Sequence, residues 1–546
     1  MDRTKRYIAG LDFGTLSCRC ILVSAEDGSV IAEETCGYPN GVMEKQLPGG
    51  TPLPAGFALQ HPGDYLKALE TAIHGALEKA GIAPDRIGGI GLDFTSCTIL
   101  PVTAELTPLC FLPEFAQQPH AYVKLWKHHG AAPEAEEITE LAVRRSESWL
   151  ELCGGRMNAE YGLPKILETL RRAPEVYRSA ARFMEAGDWI ASLLTGREIR
   201  SANFAGAKLQ WDEQNGYFSE AFLKELDPGL QDLAGEKLSG PVLPVSKAAG
   251  TLSKAGAKLT GFLEGTPVAV PVVDAYAGMP GCRAAEPGEL MMVLGTSACH
   301  LVHGTEQKKI PGVFGRVKDG VIPGYYTYEA GQSAVGDLLA WFTETSVPAA
   351  YQEEARARQM GIHELLSERA AALKPGSGGL LALDWVGGCR TPYNDAALTG
   401  IMTGLKLSTT PEEQYRAWIE SLAFGTERIL ETFEENGVAV RRILVSGGIA
   451  KKNPLLLQIY ADVTGRDMEV VASAQAAALG SAIYGAAAAG FYSDVKAASL
   501  AMGSPVETVY RPDPQNHMIY QELYRRYRDL SEQFAGERRK RGNDFE

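Results

Sequence analysis

The chain has 546 residues, 45% of them apolar and 22% charged. Those are the proportions of a globular protein large enough for two domains. With 53 Lys+Arg against 67 Asp+Glu its formal charge is −14, which argues against a nucleic-acid backbone or an anionic membrane surface as a partner. The nine cysteines are scattered without a Cys-x-x-Cys pair, so neither a zinc site nor a thioredoxin-like motif is indicated and reduced thiols are expected.

The first residues, Met1 to Arg6, lead into a short strand rather than a leader's apolar core, and no run is long enough to span a bilayer. A cytoplasmic protein is expected. Tyr7 to Asp12 predicts a strand, a glycine turn follows, and Arg19 to Ser24 predicts a second strand. Asp27-Gly28 then closes a hairpin into Val30 to Glu34. From about Pro62 to Ala80, Leu66, Leu69, Ile73 and Leu77 share one face at helical spacing, and Gly81 stops the helix. Ile87 to Leu92 predicts a buried strand ending at Asp93-Phe94-Thr95-Ser96. Strand, helix and strand in that order favour an α/β fold.

The second half repeats this grammar. Pro267 to Val273 predicts a strand ending at Asp274, and Leu290 to Leu294 one ending at Gly295-Thr296. Thr410 and Glu413 form a capping box for a long helix, with Pro411 in its first turn and Gly437 at its stop. Tyr415, Trp418, Leu422, Ile429 and Phe433 supply much of its apolar face. A strand at Ile443 to Val445, the Gly447-Gly448 turn and a helix from Pro454 to Thr464 come next. In an Ala-rich helix from about Ala476 to Ala489, Gly480 and Gly485 would let another backbone approach closely. The tail from Gln521 onward, rich in Arg and Glu, reads as a solvated terminal helix. The turns at Asp12-x-Gly14-Thr15 and Gly295-Thr296 suggest a faint internal duplication, and the main boundary falls between Asp274 and Leu290.

The chemistry concentrates in those turns. Successive main-chain N–H groups in a hairpin make a concave anion site, and a strand-end carboxylate such as Asp12 can hold magnesium through water. By themselves, Asp12, Gly14 and Thr15 read more readily as an ordinary β-turn with a capping Asp. Gly295, Thr296 and Ser297 form a second candidate, and two such turns, one in each half, could grip a triphosphate from both sides. At Gly447-Gly448 a flat ligand could lie on the main chain. Asp274 at the mouth of a buried strand could take a proton from a hydroxyl, or could simply cap a helix. There is no Gly-x-x-x-x-Gly-Lys-Ser/Thr loop, no Gly-x-Gly-x-x-Gly after a strand and no Gly-x-Ser-x-Gly elbow. P-loop, Rossmann and hydrolase readings are therefore disfavoured. His128-His129 reads as a pair of surface residues rather than a metal pair.

With these residues in hand, the chain resembles the FGGY carbohydrate kinases of the actin-like ATPase superfamily, from about Tyr7 to about Gly490. The segments that carry the resemblance are Gly91-Leu-Asp-Phe-Thr-Ser-Cys-Thr98, Leu125-Trp-Lys-His128, Asp274-Ala-Tyr-Ala-Gly278, Gly295-Thr-Ser-Ala-Cys-His300 and Tyr328-Glu-Ala-Gly-Gln-Ser-Ala-Val-Gly-Asp337. Within the family they are most like the branch that phosphorylates L-ribulose. The resemblance implies two actin-like (ribonuclease H-like) ATPase domains of α/β class flanking a deep cleft. Residues 1–283 would bind sugar and residues 284–546 would bind ATP. It implies ATP and Mg2+ as cofactors and L-ribulose 5-phosphate as product. Asp12, Gly14, Thr15, Gly295 and Thr296 would meet phosphate, with Asp12 reaching magnesium through water, and Gly447, Gly448 and Asn453 would lie by the adenosine. Asp274 would be the general base, and Ser96, Lys208 and Glu329 would join it on the ketopentose. Without the resemblance, Lys208 and Glu329 read as surface residues.

Two departures bear on the sugar. Leu16 occupies the first phosphate turn where a small or polar residue is usual, and Met157-Asn-Ala-Glu-Tyr161 lacks a Ser-Ser-Glu-Trp run. The expected partner is a small-molecule sugar, with no nucleic acid and no membrane. A homodimer is compatible with the sequence, which leaves the oligomeric state open. The alternatives are an FGGY kinase for D-ribulose, D-xylulose or glycerol, and an actin-like ATP-binding protein without turnover.

Overall fold

The computed structural model describes residues 6–543. Residues 1–5, where the charged start was read, and residues 544–546 of the tail lie outside the described residues. The chain divides into two units. The first takes the chain up to Ala285 together with Gly315–Thr327 and Gln475–Ser504, and the second takes Glu286–Phe314, Tyr328–Ala474 and the chain from Pro505 onward.

The first unit is built on a twisted sheet. β1 (Tyr7–Phe13), β2 (Ser17–Ser24) and β3 (Val30–Gly37) form an antiparallel meander, and α1 (Pro62–Ala80) leads to β4 (Ile87–Phe94), which runs parallel to β1. α2 (Gly162–Arg172) and α3 (Ala202–Lys208) belong to the long excursion that follows. The chain re-enters the sheet through β5 (Ala248–Thr251), β6 (Pro267–Ala269) and β7 (Val272–Val273), and α4 (Asp274–Gly281) starts directly at the end of β7. The strand order is β5-β6-β4-β1-β2-β3, with β7 also paired to β4. The single strand expected over Pro267 to Val273 is divided at Val270-Pro271, where proline supplies no ladder donor.

The second unit repeats this plan. β8 (Glu289–Leu294) and β9 (Ala298–Gly304) form the hairpin, and β10 (Tyr326–Gln332) lies beside β9. α5 (Pro411–Glu435) leads to β11 (Arg442–Ser446), α6 (Pro454–Thr464) to β12 (Met468–Val471), and β13 (Val506–Tyr510) closes the edge. β8 and β11 are parallel, β11 and β12 are parallel, and β12 and β13 are antiparallel. Strand for strand this matches β1, β4, β6 and β5. The reciprocal capping box of Thr410 and Glu413 forms as expected, and the face of α5 carrying Tyr415, Trp418, Leu422, Ile429 and Phe433 is buried. The last helix, α7 (Pro514–Asn543), departs from the expected solvated tail. Tyr520, Tyr524 and Tyr527 are buried, and their hydroxyls donate to Glu420, Glu431 and Asp384.

The returning helix Ala476–Ala488 packs across β1, β4 and α4 of the first unit. Its approach is set by glycines on both sides. A Cβ built on Gly480 would lie 1.7 Å from the Ala277 carbonyl oxygen, and one built on Gly91 would lie 1.7 Å from the Ser481 carbonyl oxygen. Backbone cannot swing aside as a long side chain can. Gly480→Ala should therefore cost about 1–3 kcal/mol or more and lower Tm visibly in a thermal melt. Gly448→Ala, where an added Cβ meets nothing within 4 Å, should leave Tm unchanged.

Candidate active site

Three strand-end carboxylates gather on the first unit. Asp12 and Asp93 are register partners on the parallel strands β1 and β4, so their side chains leave the same face. Phe94 is the partner of Val273, and Asp274 follows it as the first residue of α4. The entry to Asp274 is fixed by Asn203 of α3, whose side-chain oxygen accepts the Val273 N–H at 2.8 Å. Asp274 is half-buried, and its Oδ1 accepts the Ala275 N–H at 2.7 Å. Asp12 pairs with Arg19, its partner across the β1–β2 hairpin, at 3.0 Å.

Asp93 is fully buried. It accepts the Ser481 hydroxyl at 2.6 Å, while its Oδ1 has no donor among the described residues. Burial, then Asp12, then Asp274 hold the Asp93 carboxyl well above the usual carboxylate range, with the Ser481 bond working against them. Burial also raises Asp12, against the pull of Arg19. A proton shared between Asp93 and Asp12 relieves the pair in the bare protein, and a bound cation would serve in its place. The donor set suits a hydrated magnesium ion, which takes a few protein oxygens and keeps its waters. Among the described residues no group of three or more His, Cys, Asp or Glu forms a protein-only metal cage. Sequence reasoning named Asp93 only as a strand end. The available signal was an acidic residue closing three separate apolar runs, at 12, 93 and 274.

The hairpin turn beside Asp12 is closed by the Gly14 N–H donating to the Ser17 carbonyl at 3.0 Å. The Thr15 hydroxyl accepts the Trp126 indole N–H at 3.1 Å, and the Thr15 carbonyl accepts from the Gln60 amide at 2.7 Å. Leu16 at the tip is exposed. Ser96 is the one residue from Ile87 through Val102 that is not buried. Lys208 ends α3 at only 5% exposure, with its ammonium 5.7 Å from the centre of the Tyr161 ring. Tyr161 closes the 157–161 run that departs from the family pattern.

The second unit holds the other residues. Glu329 on β10 is 7% exposed, and one carboxylate oxygen lies 3.7 Å from the Cys299 sulfur. Lys208 and Glu329 are thus buried, against the bland expectation of surface positions. Gly295-Thr296 and Gly447-Gly448 follow the adjacent parallel strands β8 and β11, so both turns sit at one edge of the sheet. The main chain of 335–337 secures the first turn: Val335 N–H donates to the Thr296 carbonyl at 2.7 Å and Gly336 N–H to the Gly295 carbonyl at 3.0 Å. The two glycines of the second turn differ. Gly447 has φ 103, and a Cβ on it would lie 2.3 Å from the Leu294 carbonyl oxygen, whereas Gly448 faces open space. Asn453 caps α6, its side-chain oxygen accepting the Leu456 N–H at 3.1 Å.

His128 corrects the surface reading of the histidine pair. It is fully buried while His129 is exposed. Its Nδ1 accepts the Ala58 N–H at 3.3 Å, which leaves the Nε2–H to donate to Glu168 at 2.9 Å. Glu168 also accepts Lys124 at 2.7 Å. Burial pushes His128 down to about 4, although Glu168 pulls the other way.

Comparison with known proteins agrees over nearly the whole chain. Residues 7–281 match the N-terminal domain of the FGGY family of carbohydrate kinases, and residues 290–489 match its C-terminal domain. A ribulokinase of Geobacillus thermodenitrificans (strain NG80-2) is 46% identical over 536 residues, covering 97% of this chain and 95% of that one. A ribulokinase of Mycolicibacterium smegmatis is 46% identical over 533 residues, covering 97% and 94%. The crystal structure of a xylulose kinase from Rhodospirillum rubrum superposes with a TM-score of 0.79 at 23% identity, covering 96% of this chain and 98% of that one.

The neutral His128 makes stability depend on pH. Its folded value lies below the ordinary 6.5, so between those values the unfolded chain binds a proton that the native one refuses. Stability should fall as pH drops from about 6.5 to about 4, by at most about 3 kcal/mol from this group. Thermal melts across that window should show the loss, and His128→Asn should reduce it, with the buried His120 and His300, each pushed down to about 3, supplying part of the remainder.

Proposed function

The chain belongs to the FGGY family of carbohydrate kinases and is an ATP-dependent sugar kinase. From that premise we propose that its acceptor is a ketopentose, L-ribulose, phosphorylated to L-ribulose 5-phosphate, and that Asp274 is the general base. The ribulokinase relatives support the pentulose class. The observation that carries the assignment of Asp274 is its position. It is a half-buried carboxylate at the end of β7, beside the register-paired Asp12 and Asp93.

In this reading the first unit supplies most of the sugar contacts and the second most of the nucleotide contacts. Asp274 orients the primary hydroxyl and removes its proton as the oxygen attacks the γ-phosphorus in line. The Asp12–Asp93 pair would hold magnesium, whose chemistry there is neutralisation of charge on phosphate oxygens. The amides of the Gly14-Thr15 and Gly295-Thr296 turns add donors, and such positioning and electrostatic stabilisation supply most of the acceleration in phosphoryl transfer. Gly448 offers the flat surface for the adenosine, with Gly447 setting the bend and Asn453 fixing the helix behind it. Ser96, Lys208 and Glu329 hydrogen-bond the inner hydroxyls. A site built around a hydroxyl rejects analogues that lack it. We place its work in the cytoplasm, where ATP is at hand; among the described residues no helix is long and apolar enough to cross a membrane.

Asp274→Asn should fold, keep ATP affinity and lose kcat by about 100-fold or more. Steady-state rates with coupled ADP detection test this, and unchanged turnover would remove Asp274 from the chemistry. Gly448→Val should raise the KM for ATP about tenfold with the sugar KM unchanged, because an added Cβ there meets no protein atom within 4 Å and the side chain would fill the space this reading gives to the nucleotide. A panel of L-ribulose, D-ribulose, D-xylulose and glycerol should give the highest kcat/KM for L-ribulose. A higher value for another member would replace the substrate and leave the fold and reaction class standing.

A further inference from the structure

The peptide joining Cys97 to Thr98 is gripped at both ends by buried charges of opposite sign. Lys165 of α2 donates its ammonium to the Cys97 carbonyl at 2.5 Å. The Glu185 carboxylate accepts the Thr98 N–H at 2.9 Å. Lys165 is 0% and Glu185 1% exposed. A cation on the carbonyl and an anion on the amide match the dipole of that single peptide group. Burial pushes Glu185 up to about 7 and Lys165 down to about 8; in their charged forms both make charge-assisted bonds, a class about twice as strong as neutral ones.

Bringing two charges into the interior is costly, and here they sit at a strained place. Cys97 has φ 53, a left-handed conformation unfavourable for a residue with a Cβ. The next residue back is Ser96, the one half-buried member of an otherwise buried stretch. Further bonds tighten the same turn. Thr95 and Thr98 hydroxyls lie 2.8 Å apart, and the Thr98 hydroxyl donates to the Ser96 carbonyl at 3.0 Å. Lys165 also donates to the Leu125 carbonyl at 2.8 Å. The residue after Leu125 is Trp126, whose indole N–H props the Thr15 hydroxyl. One ammonium therefore ties the turn that presents Ser96 to the segment that supports the phosphate hairpin.

We propose that Lys165 and Glu185 are positioning residues for sugar recognition, which act by pinning the 97–98 peptide so that Cys97 stays left-handed and Ser96 faces the substrate. This rests on the reading of Ser96 and Lys208 as sugar ligands. The pair sets discrimination between stereoisomers through the main chain.

The test compares Lys165→Met, Glu185→Gln and Lys208→Met in the full-length enzyme, assayed well below the Tm of each variant. Lys165→Met should raise the KM for L-ribulose at least tenfold and Glu185→Gln at least threefold. The KM for ATP should stay within twofold, and the kcat/KM preference for L-ribulose over D-ribulose should narrow. A purely structural role would lower Tm without this split. Glu185→Gln is nearly isosteric and carries the test alone if Lys165→Met does not fold. A sugar KM within twofold of the parent in Glu185→Gln and in any folded Lys165 variant, while Lys208→Met raises it, would overturn the proposal. If Lys208→Met leaves the sugar KM unchanged, the sugar-site reading itself falls and the clamp falls with it.

Discussion

Asp12 and Asp93 face the same way from neighbouring parallel strands, and the first unit is organised around the repulsion this creates. Two carboxylates side by side in a buried place cannot both be charged without help. Arg19 answers on one side of Asp12, and the Ser481 hydroxyl answers on one oxygen of Asp93. The remaining oxygen of Asp93 is left without a donor. That unbalanced polarity is the feature on which the proposed cation site rests. Parallel pairing is the root cause. It brings the ends of β1, β4 and β7 to one edge, so residues distant in sequence meet there without any loop having to arrange them.

Both units use the same sheet plan, yet their turns do different work. The first carries charge, with Asp12, Asp93 and Asp274 at its strand ends. The second carries main chain, with Gly295, Thr296, Gly447 and Gly448 there instead. Carboxylates suit metal and proton handling, whereas bare backbone suits a close-lying flat ring or a phosphate. The division between Gly447 and Gly448 shows this at the level of one dipeptide: Gly447 is required by its dihedral and by the Leu294 carbonyl, while Gly448 leaves space.

Much of this was legible in the amino-acid order because it depends on local rules. The capping box at Thr410 and the period of α1 are decided within a few residues, and so is the glycine-bearing helix Ala476–Ala488. What could not be read was decided by partners far along the chain. Lys208 is buried because Tyr161 lies beside it, and His128 because Ala58 and Glu168 satisfy both ring nitrogens. Nothing adjacent to either residue announces that partner. Asp93 was visible as a strand end, but its role depends on register with Asp12, and register is a property of the pairing. The tyrosines of α7 are spaced by four and three residues, a periodicity that an Arg- and Glu-rich composition masks.

The returning helix has a consequence for how the molecule comes into being. It forms a layer of the first unit's core, yet it is translated after nearly all of the second unit. The ribosome must therefore release almost the entire polypeptide before the earliest strands can be covered. Until then the face of β1 and β4 that awaits it, including Gly10 and Gly91, on which an added Cβ would strike that helix's carbonyls, stays open to water. A gene cut between the two family domains would leave the amino-terminal product without this layer, however complete its own sheet.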